Sequence, residues 1–263
     1  MKWSGIMLLT VSLMPPSTIR AQSRELPRFE VASVKVSDKP YLATAPTRSG
    51  GRIQWTTDML YVLGYAFHMQ PWQLSGAIPN KAPIYEFDLI ADASATDDRV
   101  RLMFQSLLID RFHMSFHRET KVVAGYALTV AKGGPKMQEA KDETMPPLPD
   151  WFRAASADAA RMEGRVVAIV PKDYTVSLFG RRVTMKQLSE SLQRHVGTAV
   201  FDRTGLTAKY YFAIEYAADD APPEVTLPGL FAALKEIGIQ AEKQTGPVEI
   251  LVVDHIETVP TEN

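Results

Sequence analysis

An α+β fold of two related halves is what this sequence predicts, each half a small mixed β-sheet with helices on one face. Three observations predict it. Apolar residues alternate in short runs and then switch to helical spacing, again and again, so strands and single helices follow one another along the chain. The pattern is written twice: "LMFQSLLIDRFHMSFHRETKVVAGYALTV" at 102–130 has the rhythm of "LFAALKEIGIQAEKQTGPVEILVVDHIE" at 230–257. Between the two, "MQEAKDETMPPLPDWFRAASADAARM" carries three prolines, mixed charge and little periodicity, which marks a linker over 137–162. The expected organisation is therefore a leader over 1–21, a first α+β repeat over 28–136, the linker, and a second repeat over 163–263.

The elements follow in order. "RFEVASVKVSD" at 28–38 is rich in β-branched residues and reads as a strand, followed by a loop over 39–51 rich in Pro, Gly, Ser and Thr. "RIQW" is a short strand. "TTDMLYVLGYAF" opens a helix with Thr56 or Thr57 as N-cap and Asp58 in the first turn. "QPWQLSG" is a brief extended piece, and a strand runs over 85–91. The acidic pair Asp97-Asp98 then favours the positive start of the helix "RVRLMFQSLLIDRF". In "FHMSFHRE", Phe112, Met114 and Phe116 face one way and His113, Ser115 and His117 the other, as on a half-buried strand. "GYALTVAKGGPK" is its expected antiparallel partner across the short "ETKVVA". A short helix over 151–161 is all that the linker suggests.

In the second half, "RVVAIVP" and "YTVSLFG" form a hairpin across Lys172-Asp173. "TMKQLSESLQRHVG" is a helix capped by Thr184 and stopped by Gly197. A turn at Thr204-Gly205, a strand over 210–216, a proline-containing loop and the closing helix, polar break and strand complete it. Matched by element, Thr56 meets Thr184 (184 − 56 = 128), Phe104 meets Phe231 (231 − 104 = 127) and Leu128 meets Leu251 (251 − 128 = 123). The drift is small and falls at loops. Each half thus runs strand, helix, short strand, strand, helix, strand, strand. That βαββαββ order resembles the short modules at the N-termini of secretins and TonB-dependent receptors, which are periplasmic docking domains. The likeness is one of fold order.

Composition bounds the function. The 263 residues are 46% hydrophobic and 22% charged, with a formal net charge of −1, so no basic excess invites nucleic acid. The absence of cysteine rules out disulfides, thiolate catalysis and cysteine-held metals. Met1-Lys2, the apolar "IMLLTVSLM" and "PPSTIRAQS" follow the three-part logic of a secretory leader, with cleavage between Ala21 and Gln22. The apolar run is too short for a membrane span. A secreted or periplasmic chain with no transmembrane segment in its mature part is the expectation.

Several phrases in order carry a family resemblance: "FEVASVK", "RLMFQSLLIDRFHMSFHRETK", "YALTVAKGGPK", "TMKQLSESL", "DRTGLTAKYYFAIEY", "LFAALKEIGIQAEKQTGPVEILVVDHIE" and "VPTEN". Together they resemble the soil-associated family of uncharacterised function DUF3738, from about Phe29 to Asn263. The sequence departs at "RIQWTTDMLYVLGYAF", where that family more often has a "TLxxLI…AYG" phrase, and at "GAIPNKAPIYEFDLIA", where a "GGPxW" turn is usual. The family brings no catalytic residues. Some of its members are fused to, or stand beside, membrane metallopeptidases of the antibiotic-sensor type, which implies a signalling context.

Chemistry-bearing motifs are sparse. The common nucleophile, zinc-hydrolase, P-loop and dinucleotide signatures are absent, and no cofactor or metal is implied. His113 and His117 lie roughly 13 Å apart if the strand is regular, too far to share one metal; a solvated face is the alternative to a ligand role. His195 falls at a helix C-terminus, where positive charge is favoured, and reads as a structural residue. Asp97-Asp98 and Asp219-Asp220 fit helix and loop ends better than general acid–base pairs. Asp110-Arg111 and Asp202-Arg203 fit local turn contacts. Trp72, beside Pro71, and Trp151, in the linker, either anchor a partner or pack under their own loops.

His113, His117, Trp72 and Trp151 therefore form the candidate interaction surface. The leading expectation is a non-enzymatic interaction or ligand-binding protein, with an unknown envelope protein or a small ligand as partner. An accessory or sensor element of an envelope signalling–proteolysis system is one alternative. An enzyme with an unrecognised site in the cleft between the halves is another.

Overall fold

A computed structural model describes residues 26–40, 43, 45–79, 83–141, 163–169 and 173–261. The expected leader and its cut at Ala21–Gln22, the short helix over 151–161 with Trp151, and Lys172 lie outside the described residues. The chain is a mixed α/β protein with four α-helices and three four-stranded sheets among the described residues. No helix there is long and apolar enough to cross a membrane.

The first sheet has the order β1-β5-β3-β2, from β1 (Val31–Ser37), β5 (Ile84–Ile90), β3 (Arg52–Thr57) and β2 (Thr47–Ser49), all antiparallel. Alternation decides its faces. Tyr85, Phe87 and Leu89 of β5 turn inward with Ile53 and Trp55 of β3. Glu86 and Asp88 turn outward to pair with Lys39 and Arg52. Against the inner face pack α1 (Met59–Phe67) and α2 (Asp97–Arg111). Trp55, Tyr65 and Phe104 meet edge to face, with ring centroids 5.4–5.8 Å apart.

A second core has the same kinds of part. Its sheet runs β7-β11-β9-β8, again antiparallel, from β7 (Gln138–Glu139), β8 (Arg165–Ile169), β9 (Thr175–Val183) and β11 (Tyr210–Ala217). Packed with it are α3 (Met185–Val196) and α4 (Leu230–Glu236). Thr184 caps α3 in a reciprocal capping box with Gln187, and Gly197 ends it in the left-handed conformation.

The third sheet joins the two cores. β6 (Ser115–Val130) and β12 (Ile239–His255) run antiparallel along nearly their whole length, from Ile239 opposite Val130 to His255 opposite Ser115. Two short strands flank them in parallel: β4 (Leu74–Gly76) against Leu251–Val253, and β10 (Ala199–Asp202) against Gly125–Leu128. The two flanking pairings are reciprocal. A strand from the first half borders the last strand of the second, and a strand from the second half borders the last strand of the first. One end of this sheet delivers Leu251 and Val253 to the first core, and the other delivers Leu128 and Ile239 to the second.

Several expectations are corrected by this arrangement. The last strand of each half does not complete that half's own sheet; it enters the shared one. The expected hairpin across "ETKVVA" does not form, because residues 119–124 continue as strand within β6. That segment holds no Gly, Pro, Asn or Asp to turn the chain, and Thr120, Val122 and Val123 favour extended backbone. The polar break over 242–247 is likewise strand, held by pairing with β6. Asp58, not Thr56 or Thr57, is the N-cap of α1, accepting from the Tyr61 N–H at 3.1 Å, while Thr57 ends β3. The loop over 39–51 contains β2. Gln138 and Glu139 border β11.

Candidate functional site: the polar end of the central sheet

The end of the shared sheet nearest the first core gathers three of the chain's five histidines. Their placement starts with the exit from α2. Phe112 caps that helix and is fully buried, so the chain must turn sharply at His113, whose φ of +47° lies in the left-handed region. Glycine normally takes such a position, because a Cβ there is crowded. Strand β6 begins two residues later. His113 therefore precedes the strand instead of lying on it, although the alternation in burial from Phe112 to His117 holds as expected.

His113 Nδ1 stands 3.0 Å from Glu257 Oε1, and His255 Nε2 stands 3.9 Å from the same oxygen. Glu257 is fixed by its own backbone, whose N–H donates to the Phe112 carbonyl at 2.8 Å. His117, opposite Val252, places Nδ1 at 2.9 Å from Asp254 Oδ1 and Nε2 at 3.2 Å from Glu119 Oε1. The hydrogen bond to Asp254, then that to Glu119, raises the His117 pKa above its ordinary value. Glu119 is held below the usual carboxylate range, first by Lys121 and then by His117. One strand position on, Arg118 pairs with Glu249 and its guanidinium lies 6.0 Å from the Phe67 ring centre.

Trp72 lies at the same end of the sheet. It sits in a 3-10 turn (Pro71–Gln73) that leads straight into β4, and Gln73 Nε2 donates to the Glu249 carbonyl at 3.0 Å. Trp72 is half-buried, and its indole N–H, with the Ser75 hydroxyl two residues into β4, finds no acceptor or donor among the described residues. Three of the four candidate surface residues thus share one end of one sheet. Asp254, His255 and Glu257 join them here without being among the candidate surface residues. Their signal was the run Asp254-His255-Ile256-Glu257, in which only Ile256 is buried.

What this end can do chemically is limited by exposure. Each of the three histidine side chains is about half exposed. Among the described residues, no three His, Asp or Glu side chains are arranged to hold a metal ion. Two open depressions lie elsewhere: about 350 Å3 on the first sheet near Lys35, Gln54 and Asp88, and about 700 Å3 beside the start of α2 near Asp92, Thr96 and Arg99. The residues that line them belong to the first sheet, to α2 and to the segments beside it.

The remaining polar candidates serve the fold. Asp97 and Asp98 open α2 behind the Thr96 cap. Asp202 makes a local turn with Thr204, as expected, but Asp110 reaches Arg28 across 82 residues at 2.8 Å. His195 has the structural place expected of it, but not as a favoured cation. It is half-buried, with Nδ1 2.8 Å from the Tyr216 hydroxyl, and burial, aided by Arg194, lowers its pKa. Desolvation outweighs the helix end.

The fold and this site together define a mixed α/β protein whose charged and aromatic groups collect on an open sheet end. The chain belongs to the family of proteins of unknown function DUF3738, whose model matches residues 61–256. No curated protein and no solved structure is significantly similar to it.

Proposed function

We propose that the chain is a non-enzymatic interaction protein of two related halves, exported to the periplasm or beyond, that engages an envelope partner through the polar end of its central sheet. One observation carries the docking reading. His113, His117 and His255 meet Glu119, Asp254 and Glu257 on an exposed surface, away from both open depressions. Exposed, paired side chains suit recognition by complementary charge and hydrogen bonding better than they suit catalysis, which needs desolvated and strongly perturbed groups.

Support for the two halves comes from the order of elements and from offsets: 184 − 58 = 126 for the caps of α1 and α3, and 210 − 84 = 126 for the starts of β5 and β11. The reciprocal parallel pairings of β4 and β10 support it as well. So do the left-handed helix exits, His68 and His113 in the first half against Gly197 and Gly238 in the second. The halves would span 28–136 and 163–263. The likeness to the docking modules of secretins and TonB-dependent receptors rests on element order alone. The leader pattern over 1–21 supports export.

The test is site-specific photocrosslinking of the tagged, exported chain in cells, with the crosslinker at position 113 or 117 and a control at the exposed Lys209. A single envelope partner captured from 113 and 117, and not from 209, is the expected result. Equal capture from all positions, or none from any, overturns the docking face.

A further inference from the structure

We propose that the chain forms a homodimer by antiparallel pairing of the open edge of β6 with the same edge of a second copy, about a two-fold axis at Thr120. This goes beyond capture of another protein, and it is read on the purified chain alone.

The edge comes from unequal pairing. β12 lines one side of β6 along its whole length, but β10 lines the other side only from Gly125 to Leu128. Ser115 to Val123 have no strand partner on that side among the described residues. At its end, where β10 begins, the Ala124 carbonyl accepts from the Thr198 hydroxyl at 2.7 Å. An unpaired run of this length carries backbone donors and acceptors ready for another strand. The opposite border of the ribbon is obstructed. β12 carries Pro247, which has no N–H, and the Gln73 side chain occupies the Glu249 carbonyl. On β6, Val122 is 73% exposed.

Charge selects the occupant and the register. Side chains of 117, 119, 121 and 123 share one face of the strand. An axis at Thr120 sets Glu119 of each copy opposite Lys121 of the other and Thr120 opposite Thr120, both favourable cross-strand pairs. An axis at Arg118, Glu119 or Lys121 sets a like charge against itself. An axis at Val122 pairs no opposite charges. Intermediate axes would match a hydrogen-bonded pair with a non-hydrogen-bonded one, which two-fold symmetry forbids. Within one chain Glu119 already holds Lys121 at 2.9 Å, so the dimer shares this pair across the axis without stranding a charge. The paired length, about nine residues or ~30 Å, is short for a stable complex, so association is weak and concentration-dependent.

The experiment is sedimentation equilibrium on the purified chain across a wide concentration range. Wild type should rise from the 29.3 kDa monomer towards twice that mass. Glu119→Lys and Lys121→Glu each set like charges opposite one another twice and should weaken the dimer by at least about tenfold. The double swap Glu119→Lys/Lys121→Glu restores opposite charges and should restore the dimer. Circular dichroism melts establish that each variant is folded. A chain that stays monomeric throughout, a dimer indifferent to the single reversals, or a folded double swap that stays as weak as the singles would each overturn the proposal.

Discussion

At the exit of α2 His113 takes a left-handed conformation that costs it more than it costs Gly238 at the exit of α4: φ is +47° at the histidine and +77° at the glycine. A side chain in the left-handed region is disfavoured, and glycine there is favoured by several tenths to about 1 kcal/mol. The imidazole contact with Glu257 is exposed and returns little of this. His113→Gly should therefore raise the melting temperature by about 2–4 °C while reducing partner capture in the crosslinking test. A drop in melting temperature would mean that the imidazole contributes more to the fold than to recognition. The histidines also divide the pH response. His117 has its pKa raised in the folded state, so folding takes up protons. Its contribution is complete below the unfolded value near 6.5 and is lost as pH rises through the folded one. His195 has its pKa lowered, so its contribution is complete above that unfolded value and is lost as pH falls below it. His117→Asn should flatten the decline of the urea midpoint on the alkaline side only, and His195→Asn on the acid side only. Reversed sides would refute the assigned partners. The exposed and buried faces of Phe112 to His117 were legible from alternation alone. The opposite electrostatics of His117 and His195 were not, because Asp254 comes from a distant segment and the burial of His195 is set by tertiary packing.

At the scale of elements, what could be read was what neighbouring residues decide. Thr184 and Gly197 bound α3 where capping chemistry places them, and the alternation of Tyr85, Phe87 and Leu89 gives the buried face of β5. The unbroken run of β6 could not be read, since its partner lies more than a hundred residues away and no local turn residue says whether the chain folds back. The same holds for the flanking strands. β10 approaches β6 closely because residue 125 is glycine: a Cβ there would stand 2.3 Å from the Ala199 carbonyl oxygen. β10 is short and docked on one side only, so it cannot yield without losing its pairs. Gly125→Ala should destabilise the chain by about 1–3 kcal/mol, read as a lower urea midpoint with an unchanged slope. A neutral result would mean that β10 shifts freely and is not part of the cooperative unit.

At the scale of the whole molecule, the shared sheet makes each core depend on both halves. Leu251 and Val253, from the last strand of the chain, are buried in the first core, while Leu128, from the first half, is buried in the second. Cutting between the halves would therefore expose apolar surface on both, and would leave β6 and β12 as long strands without their main partner. The wild-type chain should melt in a single calorimetric transition, with van't Hoff and calorimetric enthalpies in agreement. Fragments 26–141 and 163–261 should each be poorly soluble when produced alone. Produced together, they should assemble one to one, because the sixteen-position ladder between β6 and β12 needs no covalent connection between the fragments. If the two fragments proved separately soluble, each with its own cooperative transition, the central sheet would be an accessory contact between two domains, with no structural reason to form one body. Assembly of two otherwise insoluble fragments would give that reason: neither half can cover its own core, and the polar sheet end that carries His113, His117 and Trp72 exists only when both are present.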